Sequence, residues 1–357
     1  MQTQTTIAQT IARKAIRRAV APQEFRPAIS YDDLRVLNKD QQIVPLRFNR
    51  AQRHLLAHLT GRDLVVKARQ LGISTGIQAK FFIDATHETA RQATMAHDDA
   101  GTTMLREMQR TFYDELPEAL QPRRSTNNTT FTRYSDTKST VLSSTAGGTG
   151  AKGRAGSYSH FHGSEVAYWI RAAKLMAGVM QAIPMGKGLI VLESTGNGQQ
   201  GWFYERVLAA LDGDPTFALH FYAWWWADEY RLTPSAPLTL TDEEAALVEA
   251  HGLDMAQIAW RRAKQQELGA AFQQEYPESV LAAFIASGAG YFNLRESMFT
   301  APRDAVYLAG HRYVAGLDFG QANDYTVCIV IDATTRQQVA ILRINRLPWA
   351  EMRRQVI

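Results

Sequence analysis

The feature that most constrains this chain is an apolar strand that runs through a glycine turn straight into a helix. "DLVVKA" (63–68) reads as a strand buried on both faces, Gly72 supplies the turn, and "STGIQAKFFIDATHE" (74–88) reads as the helix. Parallel strands need long crossovers, usually helical, so a buried strand followed at once by a helix points to an α/β sheet. The pattern continues downstream. "QATMAH" (92–97) is the next strand and 98–116 the next helix, opened by Asp98 as its N-cap. "STVLSSTA" (139–146), "SYSHFH" (157–162) and "GLIVLEST" (188–195) are further strands, and a helix starts near Gln200. From about residue 45 the alternation predicts a mainly parallel sheet covered by helices.

The same turn has the outline of a phosphate-binding loop. Such a loop, G-x-x-x-x-G-K-[ST], cradles phosphates with backbone N–H groups, reaches them with its lysine and binds Mg²⁺ through its hydroxyl. The segment here is Lys67-Ala68-Arg69-Gln70-Leu71-Gly72-Ile73-Ser74-Thr75. The glycine and the hydroxyl are in place, but Ile73 stands where the lysine belongs. Lys67 and Arg69 lie in the same short loop, and a long cationic side chain can meet the same phosphates from there. On spacing alone, an ordinary strand–glycine–helix turn is the alternative.

Hydrolysis of a bound triphosphate also needs a carboxylate at the sheet's carboxyl edge to orient water, usually just after an Asp that holds the metal. "SYSHFHGSEVAYW" (157–169) offers Glu165, preceded by Ser164 rather than Asp. His160 and His162 have H-x-H spacing, but no third ligand is in sight, so they read as packing or sheet-edge histidines. The loop "AGGTGAKGRAG" (146–156) is glycine-rich, yet it leads into a strand and has no hydroxyl after its lysine, so it is rejected as the phosphate loop. Six aromatics in "FYAWWWADEY" (221–230) read as core against the sheet rather than as a stacking platform for bases.

With its surroundings, "KARQLGIST" resembles the variant Walker A of the large terminase subunit of tailed bacteriophages, in which the phosphate cation comes early in the loop. "PLRFNRAQRHLL" (45–56) is similar to that family's adenine-recognition segment, and "LESTGNG" (192–198) to its γ-phosphate sensor. "FQQEYPESVLAAFIASGAGYF" (272–292) resembles the segment closing its ATPase domain. The resemblance covers roughly residues 45–330. It implies a RecA-like P-loop ATPase followed by the start of an RNase H-like nuclease. The implied organisation is a basic N-terminal arm at 1–40, an ATPase core at 41–212, a subdomain or linker at 213–305 and the first nuclease strands at 306–357.

The resemblance also assigns residues. Lys67, Arg69, Gln70, Gly72, Ser74 and Thr75 would bind ATP, with Ser74 as the Mg²⁺ hydroxyl and Gln52 as the purine reader. Glu165 would be the catalytic base, and Ser194, Thr195 and Asn197 would sense the phosphate state. Arg154, less so Lys152, would be an arginine finger toward a neighbouring subunit or a DNA contact. In "GLDFGQANDYTVCIVID" (316–332), Asp318 would be the first carboxylate of a two-metal nuclease site using Mg²⁺ or Mn²⁺, with Asp324 auxiliary; Asp332, at a strand end facing a turn, reads as a cap on its own position. The later nuclease ligands are not found by residue 357, so cutting is expected only of a longer form.

Composition sets the outer limits. Thirty-nine Lys and Arg against 35 Asp and Glu give a net charge of +4, which permits a polyanionic partner. The N-terminal stretch carries Arg13, Lys14, Arg17 and Arg18 without an acid, the pattern of a short basic amphipathic helix or a solvated arm. A single cysteine, Cys328, excludes an internal disulfide and fits a reducing compartment. No apolar run is long enough to span a membrane and no secretory signal opens the chain. The expected setting is the host bacterial cytoplasm. The expected partners are double-stranded DNA bound without sequence preference, a homo-oligomeric ring on a portal, and a small terminase subunit. Three rivals remain: a non-hydrolysing ATP-binding scaffold or prophage remnant, a superfamily 2 translocase, for which a second RecA-like domain is wanting, and an actin-like reading of Asp318.

Overall fold

Alternation along each strand decides which helix covers which face of the central sheet. This computed structural model describes residues 28–146, 157–183, 185–285, 307–320, 325–344 and 349–356. Its central sheet has eight strands, of which six neighbours run parallel. In spatial order these are β10 (Ala218–Tyr222), β3 (Arg62–Lys67), β9 (Leu189–Ser194), β8 (His160–Ser164), β4 (Arg91–Ala96) and β7 (Thr140–Thr145). The mainly parallel α/β sheet expected from the sequence is therefore present.

Val65 and Val191 face one side. There they pack under helix α1 (Arg50–Ala57), through Ala51 and Leu55, and under α2 (Ile73–His87), through Ile73, Ile77 and Phe81. Their neighbours Leu64, Val66, Ile190 and Leu192 face the other side, against Met176 and Val179 of α4 (Ala172–Ala182) and Phe203 and Val207 of α5 (Gly201–Leu211). Helix α2 is covered on its back as well. Its Phe82 and Ile83 meet Phe112 of α3 (Asp99–Asp114) together with Leu34 and Leu46. The apolar residues of α2 accordingly lie on more than one face, Ile77 and Phe81 toward the sheet and Phe82 and Ile83 toward α3.

Several boundaries differ from the sequence reading. Strand β8 starts at His160 and runs on to Ser164, because its ladder with β4 reaches Gly163 and its ladder with β9 reaches Ser164. An antiparallel hairpin, β5 (Arg124–Asn127) and β6 (Phe131–Tyr134), extends the sheet beyond β7 and was not expected. The helical stretch at 241–268 is two helices, α6 (Asp242–His251) and α7 (Met255–Leu268). Gly252, at φ 65°, ends the first, and Asp254 caps the second by accepting from Gln257 N.

The change of composition at 213 is not the edge of the sheet, since β10 pairs residue by residue with β3. Nor does the folded body begin at 41. Strands β1 (Arg35–Leu37) and β2 (Ile43–Pro45) pair across that position, and Leu34 is fully buried. The aromatic cluster is core, with Trp224 buried and Tyr230 stacked on Trp260 at 4.5 Å. The basic helix expected near the N-terminus lies outside the described residues.

The chain divides into two compact units, 1–289 and 290–357. The described part of the second is an antiparallel sheet, β11 (Tyr313–Asp318), β12 (Thr326–Asp332) and β13 (Gln337–Ile344) in that order, with a terminal helix (Trp349–Val356). Among the described residues no helix is long and apolar enough to cross a membrane.

Candidate nucleotide site

Lys67 is the last residue of β3, and its ammonium is buried where three strand ends meet. Its Nζ lies 3.0 Å from Glu165 Oε1 and 3.1 Å from Glu193 Oε2. Burial works against the charge of Lys67, but the two carboxylates more than offset it and raise the ammonium's pKa above its ordinary value. For Glu193, burial opposes ionisation, while Lys67, His162 and the Ser74 hydroxyl outweigh it and hold the carboxyl below its usual range. One ammonium thus stands between two carboxylates.

Glu165 follows directly on β8 with φ 52°, a left-handed conformation that costs a non-glycine residue about 1–3 kcal/mol unless its surroundings enforce it. Here they do. Glu165 Oε2 accepts from Ser194 Oγ at 3.1 Å, from the Thr195 backbone N–H at 3.1 Å and, at greater length, from Thr195 Oγ1 at 3.4 Å. The 192–198 strand end, expected to sense the γ-phosphate state, is therefore in contact with the Glu165 carboxylate. Asn197 does not reach that carboxylate; its Nδ2 donates to Ala167 O at 3.2 Å and braces the turn after Glu165. Gly196 is required by close approach, because a Cβ there would lie 1.7 Å from Ala283 O.

The two hydroxyls at the start of α2 separate clearly. Ser74 Oγ donates to Glu193 Oε1 at 2.7 Å, into the site, whereas Thr75 Oγ1 turns to Met108 on α3 at 3.8 Å. Gly72, at φ 71°, precedes α2, which has no side-chain N-cap, so the helix's positive end opens on the turn.

Three expectations change in detail. Gln52, expected to read a purine, is buried with both ends of its amide engaged: Oε1 accepts from Asn49 N at 2.9 Å and Nε2 donates to Gly72 O at 2.7 Å. It ties α1 to the Gly72 turn. Arg69 is exposed and paired with Glu275 at 2.7 Å, at the end of the short helix α8 (Phe272–Glu275), while Lys67 points inward. The Ala68 and Arg69 N–H groups donate to Tyr222 O and Glu275 O, which leaves any cradle of amides to the residues after them. Gln70 is exposed at φ 56°, where the turn reverses.

His160 and His162 pack, as expected. His160 Nε2 meets Asp84 at 3.1 Å, and the buried His162 contacts Gln78 at 2.7 Å and Glu193 at 3.4 Å. Among the described residues no group of three or more His, Cys, Asp or Glu could hold a metal. Mg²⁺ bound with a nucleotide needs no such group, because it keeps waters and takes phosphates plus one or two protein oxygens. The Ser74 hydroxyl beside a buried carboxylate is a donor set of that kind. Arg154, Lys152 and Asp324 lie outside the described residues; Asp318 ends β11 in the second unit and is exposed.

Glu193 is the residue that sequence reading missed. The available signal was an acid inside the otherwise apolar run "LIVLES", which a strand buried on both faces tolerates only when the charge is paired.

No protein-family model matches the chain, and no curated protein is significantly similar to it. Among solved structures it is similar to the HK97 bacteriophage large terminase, at 13% identity and a TM-score of 0.48, over 87% of this chain and 66% of that one. It is also similar to the ATPase domain of the Thermus phage P74-26 large terminase, at 12% identity and a TM-score of 0.47, over 64% of this chain and 92% of that one. A third is the large terminase of a thermophilic bacteriophage in complex with ATP-gamma-S, at 11% identity and a TM-score of 0.43, over 87% of this chain and 72% of that one. The chain spans about two thirds of the length of the HK97 protein.

Proposed function

We propose that this chain is the ATPase part of a phage DNA-packaging motor, hydrolysing ATP to drive double-stranded DNA into a procapsid. The observation that carries this reading is convergence. The 67–74 turn with Lys67 and Ser74, Glu165, and the Ser194–Thr195 strand end come from three separate segments and meet at the carboxyl edge of one parallel sheet. That edge, at a helix N-terminus, is where α/β sheets bind phosphorylated ligands.

Each group has a task the geometry suits. Lys67 exchanges Glu165 for the terminal phosphates, its ammonium being held 3.0 Å from Glu165 Oε1 before they arrive. Glu165, released from the lysine, accepts a proton from the attacking water and aims it. Ser194 and Thr195 keep their hold on Glu165 Oε2, so a change at the γ-phosphate is passed to the 192–198 turn and, through Gly196, to residues 282–284. Ser74 supplies a hydroxyl to Mg²⁺, which when bound would neutralise charge on the phosphates.

Around this core the remaining assignments are proposals of the same reading. Arg154 acts on a neighbouring subunit's ATP in a ring on a portal, with a small terminase subunit as a further partner, in the host cytoplasm. Asp318 and Asp324 belong to an RNase H-like nuclease that a longer form would complete with Mg²⁺ or Mn²⁺. DNA is gripped through its phosphates, so binding weakens as salt rises.

The test is ATP hydrolysis with and without duplex DNA, for the wild type and for Glu165→Gln. Turnover stimulated by DNA and lost in the variant supports the motor. Nucleotide binding without turnover in the wild type instead supports a non-hydrolysing scaffold, a reading favoured only by the engagement of both Glu165 oxygens with protein groups.

A further inference from the structure

The sheet register sets Ser164 of β8 directly beside Glu193 of β9. Register partners project to the same face, here the one covered by α2. Ser164 is the position at which the sequence lacks the metal-holding acid that normally precedes the catalytic glutamate. Its neighbour across the ladder carries a carboxylate instead. Glu193 is fully buried; its Oε1 accepts from Ser74 Oγ, the hydroxyl expected to meet the metal, at 2.7 Å. Its Oε2 has no partner besides the Lys67 ammonium, 3.1 Å away, among the described residues.

We propose that Glu193 is a metal-positioning residue, the carboxylate that holds the Mg²⁺ of a bound nucleotide through the cation's waters, one strand across from where Ser164 leaves a gap. The inference rests on the nucleotide reading of the site and adds to it the source of the missing acid. Charge balance supports it. Lys67 is the one lysine or arginine within ion-pair distance of Glu165 and Glu193 among the described residues, with His162 3.4 Å from Glu193. Two carboxylates sharing one lysine favour a polyphosphate that brings a divalent cation over a bare one.

The experiment is Mn²⁺ titration of the ADP-bound chain followed by electron paramagnetic resonance, alongside binding of a fluorescent ADP analogue with Mg²⁺ and with EDTA. Glu193→Gln is expected to weaken Mn²⁺ by roughly ten- to a hundredfold, the range for losing an outer partner of a metal site. ADP binding in EDTA should stay the same or tighten, because a negative charge has gone. Adding Ser164→Asp to Glu193→Gln should recover Mn²⁺ affinity. Glu193→Asp keeps a counter-ion for Lys67 but withdraws the carboxylate by one methylene, and it should lose Mn²⁺ affinity while remaining folded.

Unchanged Mn²⁺ affinity in either Glu193 variant, with thermal unfolding showing a folded chain, overturns the proposal and leaves Glu193 as a structural counter-ion. A wild type that binds no ADP under either condition overturns the nucleotide reading itself. The two failures are therefore told apart by the wild-type titration.

Discussion

Lys67 Nζ stands 3.0 Å from Glu165 Oε1, so the cation expected to meet phosphate and the base expected to activate water hold each other. With Glu193 on its other side, this lysine is what allows two acids to share a buried corner. Lys67→Met should therefore cost about 3–5 kcal/mol of stability, the penalty for stranding buried charge. Adding Glu193→Gln should return a large part of it. Urea denaturation of the single and double variants measures the coupling; costs that simply add would mean the ion pairs do not organise the corner.

Gly196 is where the strand end meets the 282–284 turn. A methyl group there would lie 1.7 Å from a backbone carbonyl oxygen, which cannot swing aside as a side-chain end would. Overpacking of this kind usually costs about 1–3 kcal/mol, and a backbone obstacle puts Gly196→Ala at or above the upper end. Gly198→Ala is the comparison, since nothing lies within 4 Å of its added carbon and only its φ of 72° is at stake. A melting temperature for Gly196→Ala equal to that of wild type would show that the two segments are not pressed together in solution.

How much of this was legible in the sequence follows from where the information lay. The strand–turn–helix at 63–88 is local and strongly patterned, so its position and type could be read. The hairpin Arg124–Tyr134 could not, because "RSTN" and "FTRY" are short, polar and mostly exposed, with no apolar alternation to mark a face. The break at Gly252 left its signs in a glycine followed by Asp254 and Gln257, a capping box that a longer helical reading overrode. Among site residues, Lys67, Ser74 and Glu165 were visible as motif positions. The role of Glu193 depends on a contact with Ser74 across 119 residues, which no local pattern encodes. Gln52 shows the reverse case: the residue was singled out, but its local cap with Asn49 decided what its amide does.

That cap gives a test of purine reading. Gln52 Oε1 and Nε2 are both engaged inside the protein, so Gln52→Ala should loosen the phosphate turn and cost about 1–3 kcal/mol through the buried groups left unpaired. Nucleotide affinity should fall equally for ATP and GTP. Competition binding with the two nucleotides decides it; a selective loss for ATP would restore Gln52 as the reader of the base.

The acid limb of stability should depend on Glu244, at the start of α6. Its carboxylate accepts from Arg262 and from the Thr241 backbone N–H, with Arg262 the larger influence, and burial only partly opposes them. Together they bring its pKa from 4.5 down to about 2. A carboxyl depressed in the folded state binds fewer protons there than in the unfolded chain. Its contribution is therefore present above its ordinary value and is lost as pH falls from 4.5 toward about 2. Arg262 is partly exposed, so salt screens the pair and reduces the effect. Glu244→Gln should be less stable than wild type near neutral pH and should lose less stability between about pH 6 and pH 3, as the linkage relation requires. Denaturant midpoints at the two pH values read this out; parallel acid limbs for variant and wild type would show that the pair does not form in solution.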